Sequence, residues 1–375
     1  MKKLVLHHGL QKTSSTSIQE TFLYNPAPLA AANFAYAKIN WPDGRRNSNH
    51  SFPLIVGFSD GWQSNQEITR RGWQPKGLKQ HFTSEVQRVL DTDQNLIISG
   101  EDITDIPEAG LRRFSALAAD KGFAVRPVMF VRPPLEFVTS MSQTRVRHGQ
   151  PYHLFKVGKC SKVEMSLRIW PDLLTLAFKH AIRHPFGPFG TLVDVCHLPS
   201  ADQFNRIKSN ESMSEYATRI IGHLNSQIPL FVGDAVNPLR TYLDTEPLAR
   251  IRGPKFALTR AEFITIRTFL LRENEALATL LGPEYCDPTF SFQDAPQPWT
   301  AGAITELGQA MQSLTTTLQD CIRSYFTTSP DVSAAERTLA VEILGKSGMG
   351  LLASEIRCLS LHLNATSDGG VSVKT

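Results

Sequence analysis

The chain has 375 residues, 41% of them hydrophobic and 20% charged, with a formal net charge of +4. That length supplies one large core plus an extension, and the composition excludes a disordered or fibrous chain. So weak a positive balance does not point to nucleic acid, and no apolar run approaches the roughly 18 residues of a membrane span.

Met1-Lys2-Lys3 is basic, but His7-His8 interrupts the apolar run after Leu6, so no signal-peptide core forms and a cytoplasmic protein is expected. Leu4-Val5-Leu6 suits a short buried strand, and Gly9 permits a sharp turn. The hydroxyl cluster Thr13-Ser14-Ser15-Thr16 then opens a helix whose apolar positions Ile18 and Phe22 are four apart. The first amides of a helix lack intrahelical partners and its dipole favours anions, so this turn suits a phosphate, with Lys12 adding a cation. In a Walker A register Gly9 and Thr16 fit, but Ser14 and Ser15 stand where Gly and Lys belong. The displaced lysine argues against nucleoside triphosphate hydrolysis.

Residues Ala37 to Phe82 read as irregular. Trp41, Trp62 and Trp73 with Arg45, Arg46, Arg70 and Arg71 fit either sugar stacking or a covered core edge equally well. A helix is expected over Ser84–Leu90 and a strand over Asn95–Ile98, ending in Ser99-Gly100-Glu101-Asp102. A second helix over Leu111–Asp120 precedes a strand over Ala124–Val131 that ends in Arg132. Ser140 follows eight residues later, inside a helical stretch that closes with Arg145, Arg147 and His148, which are placed to line a cleft. This alternation predicts an α/β fold with a parallel sheet. Further helices are expected over Leu167–His180, Ser212–Leu224 (entered by Asn210-Glu211-Ser212) and Phe263–Leu281. Past the Pro-rich Asp294–Thr300 the chain reads as helices with a polar tail near Ser367–Thr375, giving domains 1–292 and 293–375. His180 and His184 lack a third ligand, and the five scattered cysteines show no metal spacing.

The run Lys12-Thr13-Ser14-Ser15-Thr16 resembles the 5′-phosphosulfate loop of sulfotransferases, Lys-[Thr/Ser]-Gly-Thr-Thr between a strand and a helix, with Ser14 in place of the glycine. Arg132 ending a strand and Ser140 eight residues on resemble the pair that holds the 3′-phosphate of 3′-phosphoadenosine 5′-phosphosulfate (PAPS) in that family. The later Asn-x-Ser turn and the Glu273-Asn274-Glu275-Ala276-Leu277-Ala278 helix are similar to bacterial sulfotransferases of the carbohydrate-sulfotransferase-like type. The resemblance covers roughly residues 1–290, with sharp motifs in the first 150.

It implies a three-layer parallel sheet with flanking helices, a P-loop-like sulfotransferase fold, followed by a helical C-terminal extension. It also implies a PAPS-dependent sulfotransferase (EC 2.8.2 type) that moves a sulfuryl group to a small-molecule or glycan hydroxyl and releases 3′-phosphoadenosine 5′-phosphate (PAP), with no metal. By this match Gly9, Lys12, Thr13, Ser14, Ser15, Thr16, Arg132 and Ser140 hold the cofactor, whose phosphates account for the positive balance. Lys12 stabilises the leaving phosphate, and either His50 or Glu101 is the general base. Two other readings stand beside it: a P-loop kinase or nucleotidase, and a catalytically idle nucleotide-binding module.

Overall fold

A computed structural model describes residues 1–62, 68, 73–209, 212–233 and 235–346. Five parallel strands form one sheet: β1 (Lys2–His7), β2 (Phe34–Tyr36), β3 (Asn95–Ser99), β4 (Phe123–Val131) and β5 (Leu174–Ala177), in spatial order β2-β3-β1-β4-β5. Their side chains alternate between two apolar cores. Leu4, Leu6, Leu96, Ile98, Met129 and Val131 enter one; Val5, Ile97, Val128 and Phe130 enter the other. A sheet buried on both faces has no polar side, and so these strands are short, nearly continuous apolar runs.

The helices longer than six residues in this part are α1 (Ser15–Tyr24), α2 (Ser51–Phe58), α3 (Leu78–Leu90), α4 (Glu108–Asp120), α5 (Pro134–Arg147), α6 (Cys160–Ile169) and α7 (Gly187–Val195). The first core takes Phe52, Phe82, Phe114 and Val163 from α2, α3, α4 and α6. The second takes Ile18 and Phe22 from α1 and Phe189 and Leu192 from α7. Helices therefore cover both faces of the sheet. The chain leaves β1 for β2, returns through β3, then crosses β1 to reach β4 and β5. The carboxyl ends of β1, β3 and β4 thus meet where the strand order reverses, the place where open α/β sheets hold ligands.

The chain divides into two compact units. The first, Met1–Val138 with Lys156–Glu211 and Arg267–Phe290, contains the sheet. The second comprises Thr139–Phe155, Ser212–Ile266 and the residues from Ser291 onward. It holds α8 (Glu215–Gln227), the start of α9 (Arg260–Leu281), α10 (Ala301–Met311), α11 (Thr316–Thr328), α12 (Ala334–Lys346) and a hairpin of Phe231–Val232 with Ala235–Val236. The helices after residue 293 therefore build this core together with earlier residues: Ile220 and Leu224 join Ile304, Leu307, Ile322 and Phe326, and Trp299 stacks on Tyr216.

Three stretches differ from the sequence expectation. Leu167–His180 is not one helix: α6 ends at Ile169, and Leu174–Ala177 pairs with β4 as an edge strand before a short helix, Phe178–Ala181. Apolar residues this closely spaced satisfy both periods, and pairing to β4 decided the outcome. Ala37–Phe82 is not wholly irregular, since it contains α2 and the start of α3. The α2 run SFPLIVGF is buried almost throughout, so it carries no amphipathic period. The helix expected from Ser212 starts at Glu215, capped by Ser214, whose Oγ accepts from the Ala217 amide at 3.1 Å. Arg70, Arg71, Asn210, Glu211, Cys358 and the Ser367–Thr375 tail lie outside the described residues. Among those described, no helix is long and apolar enough to cross a membrane.

Candidate functional site

The loop between β1 and α1 has an alternating backbone. Lys12 (φ 68°) and Ser14 (φ 65°) both adopt the left-handed conformation, with Thr13 between them. Ser14 stands where the resembled loop carries glycine, and its backbone is one that glycine adopts without strain. Such alternation turns successive N–H groups into one concavity, a nest for an anion. The Ser14 side chain makes no capping hydrogen bond, and the first turn of α1 holds no acidic residue. Thr13 and Ser15 are buried and Ser14 is exposed. Thr13 Oγ1 donates to Leu10 O at 2.6 Å, which makes Thr13 a brace of the turn.

Gly9 is favoured by close approach. A Cβ there would meet His7 Nε2 at 3.1 Å, Thr13 Oγ1 at 3.2 Å and Ser15 Oγ at 3.6 Å. His7 and His8 are both fully buried, and burial lowers them to about 3 and about 4, the nearby His8 contributing to the first shift. They support the loop from beneath as neutral rings. His7 Nδ1 pairs with Ser99 Oγ at 2.8 Å, and His8 packs edge-on against Trp170.

Arg132, at the end of β4, reaches this loop. One guanidinium nitrogen donates to Lys12 O at 2.7 Å and Nε donates to Glu136 at 3.2 Å, while the group lies over the Phe178 ring. Arg132 thus holds the lysine's backbone in its left-handed state. Ser140 lies half-buried on α5, in the part of that helix belonging to the second unit. Arg145, Arg147 and His148 belong to that unit too. Arg145 stacks on Phe155 at 3.5 Å and Arg147 faces Glu246 at 3.4 Å, contacts internal to the unit.

The two candidate bases separate clearly. His50 is fully buried; its Nδ1 accepts from Ser99 N at 3.0 Å and its Nε2 donates to Ala37 O at 2.9 Å. Both ring nitrogens are therefore spent on backbone, and burial lowers the imidazole to about 4. His50 is a clasp between strand ends, and the expectation that it serves as base is corrected on those grounds. Glu101 sits where β3 ends. Gly100 N donates to His7 O at 3.0 Å, tying that end to β1. A Cβ on Gly100 would lie 2.7 Å from Ser51 N, so only glycine lets α2 close against this turn. Burial, then the neighbouring Asp102, raise Glu101 to about 7, against the opposing pull of Lys12 and Lys159, while the Lys12 amide hydrogen-bonds it. A carboxyl poised near neutrality beside a lysine-bearing anion loop is able to accept a proton there.

Sequence reasoning missed Gln11, Asp102 and Lys159, which meet at the same loop. Lys159 Nζ donates to Gln11 Oε1 at 2.6 Å, and Gln11 Nε2 donates to Asp102 Oδ1 at 2.5 Å. A lysine after Gly158 at a helix entry carries no recognisable signal. Conversely, the tryptophans considered for sugar stacking are core: Trp41 and Trp62 are buried and Trp73 packs against them. Arg45 pairs with Asp43 and Arg46 with Asn40, so that segment covers the core edge. His184 faces Asp194 at 3.1 Å, and among the described residues no group of three His, Cys, Asp or Glu stands as a metal site. No family model matches this chain, and no curated protein or solved structure matches it.

Proposed function

We propose that the chain is a PAPS-dependent sulfotransferase with a P-loop-like fold, acting on a hydroxyl acceptor such as a carbohydrate. The observation that carries this reading is the loop backbone. Left-handed Lys12 and Ser14, ahead of a helix start with no acidic residue, form a nest that suits a doubly charged phosphosulfate, and Lys12 is itself one of its residues. PAPS would supply the sulfuryl group and depart as PAP. The amides and hydroxyls from Lys12 to Thr16 would hold its 5′ end, and Arg132 offers guanidinium N–H groups at the adjoining strand end. Lys12 puts positive charge where a leaving phosphate oxygen gains negative charge. Glu101, at the tip of the neighbouring strand, is the group to take the acceptor's proton. A P-loop kinase would need a lysine where Ser15 stands, which favours the sulfotransferase reading.

Calorimetric titration with PAP, beside ATP and Mg²⁺, tests this directly. Micromolar binding of PAP alone is the expected result; preference for ATP would return the chain to the kinases. Lys12→Ala should keep PAP affinity within about tenfold while PAPS turnover falls by about 10³-fold or more, because its charge acts chiefly in the transition state. Equal losses in both would remove that role.

A further inference from the structure

Lys159 is a buried ammonium, and burying a charge is costly unless it is paired. It is held with care. Glu273 from α9 accepts from the amides of Lys159 and Cys160 at 2.8 and 3.3 Å, so a carboxylate caps the start of α6. A Cβ on Gly158 would lie 2.4 Å from that carboxylate, so glycine is what admits it. The ammonium nitrogen lies 5.0 Å from the centre of the Phe137 ring and donates to a neutral group, the Gln11 amide oxygen. Gln11 in turn donates to Asp102, so one amide bridges a cation and a carboxylate, and that fixes which way it faces. Gln11 belongs to the loop, one residue before Lys12.

The charges around this bridge come from three elements. Lys12 of the loop and Lys159 before α6 face Glu101, with Asp102 beside it on its own turn. Asp105, Asp102, Glu101 and Lys162 face Lys159, Lys162 being itself paired with Asp105 at 3.2 Å. Asp102 is anchored by its amide, which donates to Ser51 Oγ at 2.9 Å.

We propose that Lys159 is a positioning residue of this site: through Gln11 it locks the loop that carries Lys12 to the turn that carries Asp102 and Glu101. The proposal rests on the reading of Glu101 as the base. Without Lys159, Gln11 loses its acceptor role, the loop loosens, and the mutual repulsion of Glu101 and Asp102 is less well offset.

The test uses the full chain and needs no acceptor. The Glu101 carboxyl band is assigned by infrared difference against Glu101→Gln and titrated; a wild-type midpoint of about 7 is expected. In Lys159→Met the midpoint should rise by about one pH unit, and the dissociation constant for PAP should rise about tenfold. Lys159→Arg should restore the midpoint, and Lys162→Met should leave it in place; Lys159→Gln serves where Lys159→Met does not fold. An unmoved midpoint in a folded Lys159 variant overturns the proposal. Wild-type protein that fails to bind PAP would sink the sulfotransferase reading instead, and the carboxyl titration would still judge Lys159.

Discussion

Burial shifts Glu101 and His50 in opposite directions, the carboxyl up and the imidazole down. For Glu101 the charged form is the disfavoured one, so turnover of PAPS should climb with pH through about 7 as the carboxyl ionises. The stability consequence has the reverse sign. A carboxyl whose folded pKa is raised costs stability as pH climbs from its unfolded value towards the folded one, because the unfolded chain ionises first. Glu101→Gln should therefore lose about 10²-fold or more in turnover. At pH 8 it should also raise the stability by about 2 kcal/mol, an advantage that shrinks towards pH 5. His50→Ala should do the converse. It removes two buried hydrogen bonds and a ring packed 4.8 Å from Tyr36, for a loss of about 2–4 kcal/mol, with turnover per folded molecule little changed. Denaturant titration of the two variants beside a turnover assay separates them. A stable His50→Ala without turnover would restore His50 as the base.

The loop and the helix it opens form one element whose strain is visible at Ser14. A non-glycine residue at φ 65° is strained, and glycine would relieve it. Ser14→Gly should accordingly leave PAP binding intact and stabilise the protein by about 0.5–1 kcal/mol, part of the relief being lost to the freer unfolded chain. Loss of PAP binding in Ser14→Gly would mean that the serine hydroxyl, rather than its backbone, serves the anion. The strand ends around the loop are held by the same logic of matched backbone partners. His50, Gly100 and Arg132 each bond a carbonyl or amide at the rim of the sheet. Asp287 accepts from the Leu135 amide at 2.9 Å and so caps α5 as Glu273 caps α6. The Glu273-Asn274 pair of the similarity motif thus has a local physical role, since Asn274 holds the Asp287 backbone in place.

The first unit concentrates three neutral histidines, His7, His8 and His50, near the carboxyl ends of the interior strands β1 and β3, each lowered to about 3 or 4 by burial. Their unfolded counterparts protonate near 6.5. Stability is therefore fully present above that value and falls as pH drops towards the folded pKa values, because the unfolded chain binds more protons. The three together give a slope of at most about 4 kcal/mol per pH unit between pH 6 and 4, offset in part by Glu101. Acid unfolding should thus begin below pH 6, and His7→Asn or His8→Asn should flatten it. Scanning the melting temperature from pH 7 to 4 checks this; a flat profile would show that these rings are already charged in the fold.

The amino-acid sequence by itself determined the local parts. Leu4-Val5-Leu6, Leu96-Ile97-Ile98 and Val128-Met129-Phe130-Val131 are apolar on successive residues because both sheet faces are covered, so the central strands were legible. The turn Gly9–Thr16 was legible for the same reason, being a signal contained in a few consecutive residues. The edge strand Leu174–Ala177 was not, since its identity depends on pairing with β4. Nor was the function of single polar side chains. Lys159 meets Gln11 across 148 residues and Gln11 meets Asp102 across 91, and no period or spacing encodes such meetings. A histidine becomes a clasp, and a glutamate is raised towards neutrality, only when packing removes water and supplies partners. Burial and long-range neighbours set those energies, and both exist only in the folded chain.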